Sequence, residues 1–281
     1  MTINANPLKQ FFRQPVIYAR LPSKGKFYPP GALDMPANNE LPVLPMTAID
    51  EITYRTPDAL YNGQATVDVI QSCLPNIKNA WAIPAMDMDT ILTAIRIATY
   101  GHEMEFLSRC PKCQHEHEQV LDLRTVLDRM QAPDYDKQLV HGDLEIYFKP
   151  MSYKNLNDNN QLQFENQKML QMLPDENELP DTEKMHRLAE AMKSITQITV
   201  IALSQSVSAI KTPQALVSEP EYIEEFLKNC DRKLFDRIRN HIIETKASGE
   251  IRPLKITCPE CQHEYEQGVT LDMSSFFESA S

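Results

Sequence analysis

Cys110-Pro-Lys-Cys-Gln-His-Glu-His-Glu-Gln119 and Cys258-Pro-Glu-Cys-Gln-His-Glu-Tyr-Glu-Gln267 are two copies of one segment, identical at eight of ten positions. Their continuations also agree, Val120-Leu-Asp-Leu123 against Val269-Thr-Leu-Asp-Met273. Two residues between thiols let one tight turn aim both sulfurs at the same point. A single turn of this kind supplies two ligands, and a tetrahedral zinc takes four, at about 2.3 Å each. Two turns, each opening its own hairpin, complete a zinc ribbon. The expected site is one structural zinc ion held by Cys110, Cys113, Cys258 and Cys261. The 144 residues between Cys113 and Cys258 are then an insertion whose ends the metal pins together. Closing so long a loop costs entropy, which the roughly 10–16 kcal/mol of apparent binding at a structural zinc site offsets. The fold class is therefore α+β and mainly α-helical, with a split zinc-ribbon β module and a long helical insertion between its halves.

The rhythm of the flanking chain agrees with this division. Residues 1–46 form a proline-rich arm with eight of the twenty prolines; it either wraps its own domain or docks on a neighbouring subunit. An N-terminal helical region follows over 47–103. Thr47 caps a first helix through Tyr54, Thr56-Pro57-Asp58 starts a second, and 65–74 forms a third. Ile91, Leu92, Ile95 and Ile97/Ala98 mark the buried stripe of a helix over 87–99 that Gly101 stops. Residues 104–124 are the first half of the ribbon, with strands around Met104, Phe106, Val120, Leu121 and Leu123. The helical insertion spans 125–250 and carries a hairpin near 139–149, turning at His141-Gly142 with Leu144, Ile146 and Phe148 on one face. Its helices cover 155–173 and, after the acidic link 174–180, a long run to about 210. Leu188, Met192, Ile195, Ile198, Leu203, Val207 and Ile210 are the expected stripe of that run. Ser218 and Glu221 form a capping box for the next helix, and the last begins near Asp231. Residues 251–281 hold the second half of the ribbon, with Leu254, Ile256, Tyr265, Val269 and Leu271, and a tail.

Composition excludes several functions. At 42% hydrophobic and 24% charged residues the chain is long enough and ordinary enough to fold. Its formal charge of −11 repels a polyanion, and no run of Lys and Arg builds a basic face, so no nucleic acid is expected as a partner. Seven scattered glycines offer no phosphate or dinucleotide loop. No nucleophile with a base, no carboxylate pair and no catalytic zinc motif can be named, and a zinc closed by four thiolates has no open position for water. The chain reads as no enzyme. The N-terminus has no apolar core of a signal peptide and no stretch is long enough to span a membrane, so a reducing cytoplasm is the expected setting, where paired cysteines favour metal over disulfide.

Other residues near the motif have plainer readings. A thioredoxin-type dithiol fails on context, since neither pair opens a helix after a βαβ strand. His115 and His263 follow each knuckle at matching positions and pack on the hairpins or hydrogen-bond the thiolates; His117 has Tyr265 as its counterpart and is no obligatory ligand. Cys73 and Cys230 are small buried hydrophobes within helical patterns. His102, His141, His186 and His241 do not cluster.

The segments Leu21-Pro-Ser-Lys-Gly-Lys-Phe-Tyr-Pro29, Leu44-Pro-Met-Thr-Ala-Ile-Asp-Glu51, Thr56-Pro-Asp-Ala-Leu60, Val67-Asp-Val-Ile-Gln-Ser-Cys-Leu-Pro75 and Ile95-Arg-Ile-Ala-Thr-Tyr-Gly101 ahead of the first knuckle carry a resemblance. Together they resemble the baseplate hub proteins of T-even-like contractile-tailed bacteriophages, over roughly residues 20–125 and the second cysteine segment. The resemblance implies a non-enzymatic structural or assembly role in the tail hub, made in the host cytoplasm and placed in the virion baseplate. Hub, spike or tape-measure components are the implied partners in a multi-subunit assembly. Two other readings stay open: a transient tail-assembly chaperone acting on the tape-measure protein, and a zinc-ribbon nucleic-acid binder. The second needs a basic, aromatic ribbon, and the knuckles carry Glu116, Glu118, Glu260, Glu264 and Glu266 instead.

Overall fold

A computed structural model describes residues 6–55, 63–171, 181–249 and 253–268. The chain divides into two compact units, one of residues 1–80, 87–131 and 250–281, the other of residues 81–86 and 132–249. Among the described residues helix outweighs strand, and the strands form one four-stranded and three two-stranded antiparallel sheets. The expected helix at Thr56-Pro57-Asp58, the acidic link 174–180, Val269 and Leu271, and the side chains of Leu188 and Met192 lie outside the described residues.

In the first unit the arm wraps its own core. Strand β1 (Ile17–Ala19) pairs with β2 (Leu41–Val43), and Ala19, Leu21, Leu41 and Val43 are buried. Main-chain bonds from Asp34 N to Asn76 O (2.9 Å) and from Leu44 N to Cys73 O (2.8 Å) stitch it down. The turn between needs glycine at Gly25, whose φ is +80° and where a Cβ would stand 3.0 Å from Met35 Cε. Helix α1 (Ala48–Tyr54) opens with the expected cap, improved to a capping box because Asp50 answers Thr47. Helix α2 (Gln64–Cys73) ends on the buried Cys73, whose thiol burial and the nearby Asp50 push up to about 12. Helix α3 (Ala85–Tyr100) is buried nearly all round, from Asp87 to Ala98, rather than along one stripe. Two hairpins complete the unit, β3 (Glu103–Arg109) with β4 (Glu116–Asp122), and β9 (Leu254–Thr257) with β10 (Glu264–Gln267). Leu123, expected in the strand, instead opens α4 (Leu123–Arg129), because the Asp122 side chain accepts from Arg124 N and caps a helix there.

The second unit packs helices on a sheet of order β5 (Leu139–His141), β6 (Leu144–Phe148), β7 (Val207–Lys211) and β8 (Leu216–Val217). Helix α5 (Tyr153–Gln171) starts two residues before its expected position because Ser152 and Asn155 cap each other: Ser152 Oγ donates to Asn155 Oδ1 (2.8 Å) and accepts from Asn155 N (3.2 Å). It meets α6 (Asp181–Ser206) through polar pairs, Asn159 Nδ2 to Gln205 Oε1 at 2.9 Å and Ser194 Oγ to Asn166 Oδ1 at 2.8 Å, while Leu162 and Phe164 face out.

Four local expectations are corrected. The long helix stops at Ser206, not near residue 210, and Val207–Lys211 is a strand. The spacing of Leu203, Val207 and Ile210 suits a helix face; in the sheet, a register shift at Tyr147/Phe148 lets Val207 and Ile210 both be buried although they are three apart. Ile195, assigned to the stripe, is exposed. Helix α7 (Pro220–Asn229) begins one residue late for the Ser218 box: Pro220 fixes the first helical residue, Glu219 is the cap, and Glu219 Oε2 accepts from Ser218 N at 3.0 Å. Cys230 caps its end half-buried, outside the helix. Helix α8 (Arg232–Ala247) starts where expected, and Asp231 caps it by accepting from Leu234 N. The core of this unit joins Ile146, Phe148, Leu203, Val207, Ile223, Leu227, Leu234 and Ile238. Ile238 has no exposed surface, so Ile238→Ala is expected to cost about 2–5 kcal/mol by urea unfolding; a loss under about 1 kcal/mol would place Ile238 outside the core.

Candidate metal centre

Each knuckle is a tight loop closed the same way. Cys110 N donates to His115 O (3.0 Å) and Gln114 N to Cys110 O (2.9 Å); in the second copy Cys258 N donates to His263 O (3.0 Å) and Gln262 N to Cys258 O (3.0 Å). Gln114 and Gln262 sit at φ +64° and +56°, a left-handed conformation that is uncommon for a side chain with a Cβ. Each glutamine stabilises its own loop by donating its amide to the proline carbonyl of the knuckle, Pro111 at 3.1 Å and Pro259 at 3.2 Å. The repeated Pro and Gln are thus parts of the turn, and their identity in both copies was the signal that marked them.

The loops bring the four thiols together across 144 residues of chain. Cys110 Sγ lies 3.7 Å from Cys261 Sγ, Cys113 Sγ lies 3.6 Å from Cys258 Sγ, and all four sulfurs are within 4.8 Å of one another. Four sulfurs at about 2.3 Å from one tetrahedral ion stand about 3.8 Å apart, so the cluster fits a single thiolate-bound ion. Cys110 and Cys258 are fully buried, Cys261 is half-buried and Cys113 exposed. Burial pushes the Cys110 thiol up, but the N–H groups of Cys113 and Lys112 and the neighbouring sulfurs outweigh it and bring it down to about 7. Cys113 shifts the other way, to about 12: the His115 N–H favours its thiolate, and desolvation and the three other sulfurs oppose it more. One thiolate here opposes the ionisation of a second beside it, a repulsion that a bound cation would offset.

A second link joins the hairpins beside the sulfurs. Ser108, buried on β3, donates to Gln267 Oε1 on β10 at 2.5 Å and shares a hydrogen bond with the Tyr265 hydroxyl. No sequence signal marked Ser108 as a partner, since contacts between residues so far apart follow no local period. His115 stacks on His117 and His263 on Tyr265, at ring-centroid distances of 5.9 and 6.4 Å, and none of the three histidines is among the clustered ligand atoms. Glu116, Glu118, Glu260, Glu264 and Glu266 are exposed around the knuckles.

The family model for the T4 bacteriophage base plate protein matches residues 45–278. The chain belongs to that family. The match holds both knuckles and all of the insertion between them, which had resembled the baseplate proteins less distinctly than residues 20–125, and it begins at the last two residues of the arm. No curated protein and no solved structure matched the chain. Membership carries a structural place in the tail baseplate and contact with other phage tail proteins. No helix among the described residues is long and apolar enough to cross a membrane.

Proposed function

We propose that this baseplate protein is a non-enzymatic structural component of the tail hub, and that one zinc ion bound by Cys110, Cys113, Cys258 and Cys261 holds its shape by closing the two hairpins into a split zinc ribbon. The observation that supports this most is the spacing of the four sulfurs, which two hairpins distant in the chain place at the separation one tetrahedral ion takes. Four soft thiolates in that geometry suit zinc, which brings no redox chemistry, and they leave no position for a water to be activated. The ion would supply cross-linking alone. Its partners on this reading are hub, spike or tape-measure components, met in the host cytoplasm during assembly and kept in the virion baseplate. The acidic knuckles argue against nucleic acid as a partner.

Two measurements test the proposal separately. Elemental analysis of the freshly reduced protein is expected to give about one zinc per chain, because one ion uses all four thiolates; a metal-free protein would remove the ribbon. Mass spectrometry of purified virions is expected to find the chain in the particle. Its absence from complete tails would replace the structural role with that of a transient assembly chaperone.

A further inference from the structure

We propose that the face formed by the amino-terminal arm and α1 joins two copies of this chain in a symmetric dimer. Leu8, Phe11, Phe12 and Tyr18 of the arm lie open to solvent, as do Ile49 and Ile52 of α1. The exposures are high where they matter: 76% for Phe11, 75% for Ile49 and 70% for Ile52. Helix α1 turns Asp50 and Tyr54 inward, which leaves Ile49 and Ile52, three residues apart, on an outer face. Arg13 locks the two segments together, donating to Asp50 Oδ2 at 3.1 Å, to Ser72 O at 2.9 Å and to Pro45 O. With an aromatic side chain presenting about 150–250 Å², the open apolar surface comes to about 800 Å², as much as one partner buries in a stable interface. A monomer rarely exposes that much on neighbouring segments.

Charge selects the partner. Residues 6–18 and α1 contain Lys9, Arg13, Asp50 and Glu51 and no other Asp, Glu, Lys or Arg, so this face is neutral on a chain whose formal charge is −11. Two identical acidic molecules repel over most of their surface, and a neutral apolar face is where they meet without apposing carboxylates. A strongly basic or acidic partner would find no field there to steer it. An interface made of one patch on both subunits is isologous and closes at two copies. Salt then screens the repulsion between the copies while leaving the apolar contact intact, so association tightens as ionic strength rises.

Sedimentation equilibrium of the full chain tests this. The wild type is expected to be a dimer whose affinity increases between about 0.15 M and about 1 M salt. Phe11→Asp and Ile49→Asp are each expected to weaken it about thirtyfold or more, and the double variant to run as a monomer. Circular dichroism and metal content are expected to stay at wild-type levels, because both side chains are exposed in the single chain. That keeps a failure here distinct from a failure of the zinc site. Leu107→Asp, at a comparably exposed apolar position on β3, is expected to leave the dimer intact. A monomeric wild type, a dimer that survives the double variant or loosens with salt, or one that Leu107→Asp dissolves would overturn the proposal.

Discussion

Cys258→Ser is expected to abolish metal binding and release β9 and β10, with the largest effect of any single substitution in the chain. A hydroxyl in place of one thiolate leaves three soft donors for an ion whose structural sites are closed by four. Structural zinc contributes about 10–16 kcal/mol of apparent binding at neutral pH, and in a site formed only by folding that binding is folding free energy. The second hairpin is expected to depend on it heavily. It consists of two four-residue strands, and an isolated two-stranded hairpin is marginal in water. Without the ion, the described hydrogen bonds that Ser108 makes with Tyr265 and Gln267 remain to hold it against β3. Amide hydrogen exchange is the measurement: in the variant, protection is expected to fall across residues 254–267 and at Cys110 and Gln114, while the core around Ile146, Leu203 and Ile238, which contains none of the four cysteines, keeps its protection. A chelator added to the wild type is expected to reproduce the pattern. Cys230→Ser serves as the control, since its half-buried thiol donates to the carbonyl of Leu227 and lies outside the cluster. Wild-type exchange in β9 and β10 of Cys258→Ser would sink the metal staple.

How much of this was legible in the chain depends on the range of the cause. The knuckles were readable because Cys-x-x-Cys is a local constraint, and its repetition at a distance says that the two copies share a purpose. The cap at Thr47 was readable for the same reason, as one side chain answers a donor within a turn. The strand at Val207–Lys211 was misread because the 203, 207, 210 spacing satisfies a helix as well as it satisfies a bulged strand, and the register of β6 decides between them. The contact of α5 with α6 was hidden because Asn159 and Asn166 are residues usually left on the surface; each is paired across the interface, with Gln205 and Ser194 respectively. Whether the arm stayed home could not be read from its prolines. Proline fixes the extended path, and what the path lies on is set by distant partners, above all Asp87.

That carboxylate carries the second large effect. Asp87 has no exposed surface and accepts three hydrogen bonds from the arm: Ser23 N at 2.9 Å, Ser23 Oγ, and the Tyr28 hydroxyl at 3.0 Å. Asp87→Ala removes the common acceptor and leaves those donors facing methyl, at an expected cost of about 3–5 kcal/mol. Set against the roughly 5–15 kcal/mol by which domains are stable, this is enough to free the arm from the first unit. The pH dependence separates this from a simple packing loss. Burial pushes the Asp87 carboxyl up, against the three donors that favour its charge, so the folded chain binds this proton more tightly than the unfolded chain does. The group's contribution is therefore complete below the unfolded value of about 3.9 and declines as pH rises through the folded one. Asp50, held low by its bonds from Thr47 and Ser72 and by Arg13 despite burial, behaves in the opposite sense and loses its contribution as pH falls, but it is present in both proteins and cancels in the comparison. The deficit of Asp87→Ala against wild type is thus expected to be larger at about pH 4 than at about pH 7 when read from the protection of α3 amides in urea. A deficit that is equal at both, or larger at neutral pH, would mean that Asp87 is held in the fold as an easily ionised carboxylate and that the three bonds from the arm outweigh its burial.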